Sequence, residues 1–295
     1  MSKNRLFCLS NFQFIAEQYL LLTQVIFFIK QINYNMKILS ISLNEIKVSI
    51  KIVAVMVLSA ISLMASSQKT SVKVPDWALP GSSTHQQVPP PPDFHRATVT
   101  VNKQIGIFDG QSDVGAALVP GSSKYDAATG KYTISSAGYN IWYTRDEFRY
   151  LWKKMSGDVS LAASISFPDK EGYFDRKAVL IIRQNLEDDS KEAMVALHGG
   201  GLIHLAYRQD KGQSLKEMRV DQKGALRLGI EKHGDAFAIY ISIAGEPVKQ
   251  YGELVHLQID GPFYVGIGFC SHLPDKVDTA VLSGVILENA AGKIK

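Results

Sequence analysis

Short segments cut by turn residues constrain this chain more than any other feature. From Val99 onward, apolar or alternating stretches end at turn signals roughly every 10–15 residues, and none carries three turns of helical periodicity. Lys131–Ser135 follows the turn Asp126 to Gly130, and Ser156-Gly157-Asp158 joins Glu147–Met155 to Val159–Ser166. Lys177–Arg183 is rich in β-branched residues. Glu192–His198 and Leu202–Arg208 flank Gly199-Gly200-Gly201, and Ala225–Lys232 and Ala236–Ile243 flank His233-Gly234-Asp235. Val255–Ile259, Phe263–Cys270 and Ala280–Glu288 complete the series. This spacing predicts an all-β, two-sheet antiparallel jelly-roll sandwich over residues 97–295 and excludes a parallel α/β sheet. No repeat of about 20–50 residues recurs, which excludes a propeller within this chain.

Alternation within the strands sorts side chains into faces. With the three glycines as the loop, His198 pairs with Leu202 and Ala196 with His204. Val195, Leu197, Ile203, Leu205 and Tyr207 then face the core, and Met194, Ala196, His198, Leu202, His204 and Ala206 face away. Phe237, Ile239, Ile241 and Ile243 are likewise core-facing, with Tyr240 and Ser242 opposite. Val265, Ile267 and Phe269 face inward, while Tyr264, Gly266, Gly268, Cys270 and His272 share the second face. Arg183 ends an otherwise apolar strand. The expectation is one polar-aromatic groove lined by Arg183, His198, His204, Tyr240, Tyr264 and His272, suited to sugar rings and hydroxyls.

The formal charge is +4, which invites a nucleic-acid reading. Residues 1–67 contain six basic side chains (Lys3, Arg5, Lys30, Lys37, Lys47 and Lys51) against Glu17 and Glu45. The whole excess sits there, residues 68–295 are neutral, and nucleic-acid binding is excluded. Ile52–Met64 is a run of thirteen apolar or small residues after Lys47 and Lys51, followed by Ala65-Ser66-Ser67. A helix of that length rises about 20 Å, short of a ~30 Å hydrocarbon core, so the pattern is that of a signal peptide. With Met36 as the start, residues 36–67 form the leader, cleaved before Gln68, and residues 1–35 are an over-extended start. Export is the expectation, with membrane association only if the leader stays uncleaved. Residues 68–96 contain the run Pro89–Pro92 and read as a semi-rigid polyproline spacer. Cleavage removes Cys8 and leaves Cys270 alone, so no internal disulfide forms and Cys270 reads as a small buried hydrophobe.

The stretches IGIFDGQSDVGAAL, GYNIWYTRDEFRYLWKKMSGDVSLAASISF, AMVALHGGGLIHLAYR and FYVGIGFCSH with DTAVLSGVIL resemble a bacterial exported domain of the concanavalin A-like lectin/glucanase superfamily. The group they most resemble is the sandwich domain found in TolB-like proteins, labelled as Tol biopolymer-transport-related, where it often accompanies a β-propeller. The resemblance spans Gly106–Leu287, with Trp-Lys-Lys-x-Ser-Gly-Asp as its most specific string. It implies a two-sheet jelly roll with a concave face.

Known catalytic strings are missing. His198-Gly199-Gly200-Gly201 mimics an oxyanion-hole motif, but no Gly-x-Ser-x-Gly elbow accompanies it, so it reads as a hairpin turn. No Glu-x-Asp-x-x-Glu places paired carboxylates on one strand face, and Glu187-Asp188-Asp189 reads as a solvated charge run. His198 and His204 lack a third metal ligand, and Asp109 with Asp113, or Asp275 with Asp278, offer calcium only pairs. Trp142 and Trp152 read as core or edge packing. No cofactor is called for. Three functions remain: a non-catalytic exported module for a glycan or other envelope polymer, a sugar-active hydrolase or lyase with an unrecognised site, or a structural or interaction domain of a TolB-like system.

Overall fold

The computed structural model describes residues 23–31, 95–222 and 225–294. By contact the chain divides into two units, Met1–Ser71 and Val72–Lys295. In the first, residues 23–31 are helical, and no helix among the described residues is long and apolar enough to cross a membrane. The apolar run Ile52–Met64, the leader boundaries and the spacer up to residue 94 lie outside the described residues.

The second unit is built of strands. One eight-stranded sheet runs, edge to edge, β1 (Val99–Val101), β2 (Gly110–Val114), β7 (Phe148–Met155), β16 (Phe263–Cys270), β9 (Lys177–Arg183), β10 (Glu192–His198), β11 (Ile203–Arg208) and β12 (Lys216–Val220). A seven-stranded sheet runs β15 (Lys249–His256), β14 (Ala236–Ile243), β13 (Ala225–His233), β8 (Val159–Ser166), β17 (Asp278–Glu288), β4 (Lys131–Ser136) and β3 (Ser122–Asp126). All pairings are antiparallel, as the turn spacing requires. A two-stranded ribbon, β5 (Ile141–Trp142) with β6 (Arg145–Asp146), stands apart from both sheets.

The two sheets face each other across one apolar core. Leu180, Ile182, Val195, Leu197, Leu205, Val265 and Ile267 come from the first sheet, and Leu161, Ile230, Phe237, Ile239 and Leu282 from the second. Period-2 alternation assigns these inward faces correctly, and the observed register pairs Ala196 with His204 and Leu197 with Ile203, as the glycine loop predicts. Truncating one of these side chains to Ala removes buried apolar surface and leaves a void, which costs about 2–5 kcal/mol.

The outer face of the eight-stranded sheet departs from a simple sandwich. Val179, Ile181, Met194, Ala196, Ala206, Phe148, Tyr150 and Trp152 project there, yet all are buried. Residues 138–147, which contain the ribbon, lie over them, with Ile141 fully buried in this second apolar layer. Backbone bonds fix the cover: the His272 N–H donates to Gly138 O at 3.0 Å, and the Asp146 N–H to Asp188 O at 2.6 Å. Gly268 makes room for the Phe148 ring in this layer, because a Cβ there would sit 2.7 Å from it.

Candidate functional site

The cover is pinned at one end by charge. Asp146 is fully buried and receives both Arg208 nitrogens at 2.8 Å and Arg183 Nη1 at 2.7 Å. Glu192 pairs with Arg183 and lies 3.5 Å from Arg208. Burial pushes the Asp146 carboxyl up, but Arg208 and Arg183 together hold it below the usual carboxylate range. Arg145 extends the network to Glu147 at 2.9 Å and Asp188 at 3.6 Å. Each of these charges has an opposite charge within 4 Å, so the network locks the ribbon onto the sheet, and a cleft of about 480 Å³ lined by His95, Arg96, Asp188, Asp189 and Lys211 opens beside it.

This locates Arg183, which the sequence reading places in the groove. It is wholly buried in the ion network, because the strand it ends is covered on both faces. Asp188 and Asp189 are also corrected: they are buried partners of Arg145, His95 and Lys211, and of their run only Glu187 is exposed. The last two residues of the sequence-defined spacer reach this region, where His95 Nδ1 lies 2.9 Å from Asp188 and Arg96 pairs with Glu147 at 3.5 Å. His95, Asp188 and Asp189 bring ligand atoms within 4.8 Å of one another. Their oxygens already face the Arg145 guanidinium, the Lys211 ammonium and the Arg96 backbone N–H, so the protein's own donors occupy the place a metal would take.

At the other end of the cover lies a cleft of about 180 Å³. His198, His204 and His272 line it, with Lys177 from the sheet, Leu202 from the hairpin loop, Asn140, Trp142 and Tyr143 from the cover, and Asp175, Glu217 and Arg219 around them. The hairpin places His198 and His204 on adjacent strands, their rings 5.0 Å apart and edge to face. His204 stacks on Trp142 at 5.5 Å, and His272 on Tyr173 at 5.6 Å. The three-glycine turn holds the loop that carries Tyr173 and Asp175: the Gly199 N–H donates to Arg176 O and the Gly200 N–H to Phe174 O. A Cβ at Gly199 would meet Tyr173 O at 2.9 Å, so that loop, and no oxyanion, explains the glycine.

His198 is 6% exposed and His204 2%, and neither ring has a hydrogen-bond partner among the described residues. Asp175 approaches His198 Nδ1 only to 3.6 Å, and Glu217 lies 3.3 Å from His204 Nδ1 without hydrogen-bond alignment. Burial, with the charge of Lys177 second, lowers both; His204 is brought down to about 2. Both rings are therefore neutral at physiological pH, each offering one N–H and one bare nitrogen. Leaving buried polar atoms without partners costs about 1–3 kcal/mol each. Tyr143 and His272 also hold positive φ, 53° and 69°, a backbone state unfavourable for residues with a Cβ. Unmet polar groups and strained backbone coincide in this cleft.

Of the six residues proposed from sequence, the structure brings together His198, His204 and His272. Tyr264 shares their sheet face but packs edge to face on Trp152, 5.1 Å away at the opposite end. Tyr240 is on the outer face of the seven-stranded sheet, beside Glu231 at 3.5 Å. Its in-or-out assignment is correct, but a sandwich has two outer faces and alternation does not say which. Sequence reasoning missed Lys177, Asn140, Tyr143 and Asp175, and read Trp142 as packing. Cys270 is buried, with its thiol pushed up to about 11 by burial.

Fold and site together give a two-sheet antiparallel sandwich whose eight-stranded sheet is roofed on its outer face by its own chain, with a cleft lined by His198, His204 and His272 at one end of the roof. No family model and no curated protein sequence matches the chain. Among solved structures it is similar to a functionally unknown protein from Saccharomyces cerevisiae, with 16% identity over 66% of this chain and 97% of that one, at a TM-score of 0.47. Carbohydrate-binding module CBM66 from Bacillus subtilis matches at 19% identity, 57% and 92% coverage and a TM-score of 0.36. An alginate lyase from Klebsiella pneumoniae matches at 11% identity, 58% and 85% coverage and a TM-score of 0.38.

Proposed function

We propose that this protein is an exported, non-catalytic module that binds a saccharide unit of an envelope polymer in the histidine cleft. The observation that carries the reading is the pair His198 and His204, buried, neutral and without hydrogen-bond partners. A neutral imidazole needs one acceptor and one donor, and a sugar hydroxyl is both. Asn140, Arg219, Asp175 and Glu217 supply further donors and acceptors around the same opening. A volume of about 180 Å³ lies below the ~300 Å³ at which drug-sized sites begin, so the cleft suits a single sugar ring, such as a chain end, and not an oligosaccharide. Phe174, between Tyr173 and Asp175 on the rim loop, is 61% exposed and offers an aromatic face to the next unit.

Asp175 and Glu217 also support a second reading, a sugar-active enzyme, since both carboxylates border one opening. Each leans toward a histidine, which favours positioning over acid–base work. A glycan array on the full chain tests the function: retained glycans without cleavage support a binder, and shortened products identify an enzyme. Export rests on the Lys-flanked run Ile52–Met64 and the Ala65-Ser66-Ser67 exit; it predicts a mature N-terminus near Gln68 by N-terminal sequencing. The resemblance to TolB-like sandwich domains supports an envelope polymer as the source of the sugar.

A further inference from the structure

One charge in the cleft is left without a counter-ion. Lys177 opens β9 directly beside His198 in the sheet register and is only 2% exposed. Its Nζ lies 3.4 Å from Ile141 O and 5.5 Å from the Trp142 ring centroid, and it forms no ion pair within 4.0 Å among the described residues. Arg183, at the other end of the same strand, shows what the fold does with a buried cation it neutralises itself: two carboxylates sit against it. A buried ammonium without such a partner costs several kcal/mol.

The surrounding charges divide by depth. Asp175 and Glu217 retain roughly a quarter to a third of their side-chain surface and sit at the rim, where water screens them. Arg219 is largely exposed and already pairs with Glu217 at 2.8 Å. The floor holds Lys177 and two neutral imidazoles. A buried cation without a counter-ion, next to polar nitrogens that need partners, suits an anion that also carries hydroxyls.

We infer that the saccharide unit taken by this cleft carries a carboxylate, as a hexuronate does, with the carboxylate seated against Lys177 and hydroxyls on His198 and His204. The inference rests on the saccharide reading above and names the sugar class. The test is titration of the full chain, followed by saturation-transfer NMR, with glucuronate, galacturonate and mannuronate, each beside its methyl ester and its parent hexose. Inorganic phosphate serves as the anion control. At least one uronate binds tenfold or more tighter than its ester and its hexose, and Lys177→Met abolishes that gap while Asp175→Asn widens it. Esters and hexoses binding as well as the acids would overturn the charge assignment and leave the saccharide reading standing. Binding of phosphate with no sugar, or of no probe at all, overturns both. Should Lys177→Met fail to fold, the acid-against-ester comparison on the unaltered chain decides alone.

Discussion

The two ends of the roofed sheet face are built from the same kinds of side chain and solve burial in opposite ways. At the Asp146 end, arginines and carboxylates are packed so that each charge meets its opposite. At the other end His198 and His204 are buried without hydrogen-bond partners among the described residues, and Lys177 is buried without a counter-ion among them. Both lie under residues 138–147. Burial alone therefore does not set the two ends apart; a counter-charge within reach does. The matched end holds the roof down, and the unmatched end is where we propose that a ligand completes the hydrogen bonding.

The comparison is broken most forcefully at the matched end. Asp146→Ala leaves the buried Arg183 and Arg208 to share the one carboxylate of Glu192, and the expected loss is about 3–5 kcal/mol. Thermal unfolding should register a fall of about 10 °C for a body of this size; an unchanged midpoint would show that the ion network does not hold the roof. At the unmatched end the effect moves from stability to binding. His198→Ala or His204→Ala should weaken saccharide binding by about 1–3 kcal/mol in calorimetry, with the melting point nearly unchanged.

Acid sharpens the same contrast. Burial holds His204 near 2 in the folded chain, against its ordinary unfolded value of about 6.5. The unfolded chain thus binds more protons below that value, and the stability present above pH 6.5 is lost progressively as pH falls toward 2. Between pH 7 and pH 5.5 this one residue should cost about 1 kcal/mol in denaturant titrations, and His204→Gln should flatten that slope. The smallest effects lie at the periphery. Phe174→Ala should cost under about 1 kcal/mol of binding. Tyr240→Ala should leave binding unchanged, since Tyr240 belongs to the other sheet.

Much of the sandwich is legible in the sequence because its causes are local. Turn residues set the strand breaks, alternation sets the inward face, and Gly199-Gly200-Gly201 fixes the register that puts His198 and His204 side by side. The roof is not legible in this way. Alternation predicts a polar outer face, but Ala178–Ile182 is apolar at every position, the pattern of a strand buried on both sides. That run, with Arg183 at its end, was the available signal that something covers the sheet. What covers it, Gly138–Glu147, is dense in aromatic and charged residues without periodicity, and its place depends on contacts with Asp188, Arg208 and His272 far away in sequence. Tyr240 fails for a related reason: period-2 patterning gives a side and is silent on which sheet the side belongs to.

The central claim is that His198 and His204 are unmatched until a sugar meets them, and their ring nitrogens report on it directly. Long-range ¹H–¹⁵N spectra of the full chain, titrated with the hexose and hexuronate panel, resolve each imidazole. The expected result is that both rings start neutral and that their nitrogen resonances shift on saturation, while exposed His233 and His256 stay in place. If all four stay in place while a sugar demonstrably binds, the ligand sits elsewhere and the cleft is not the site.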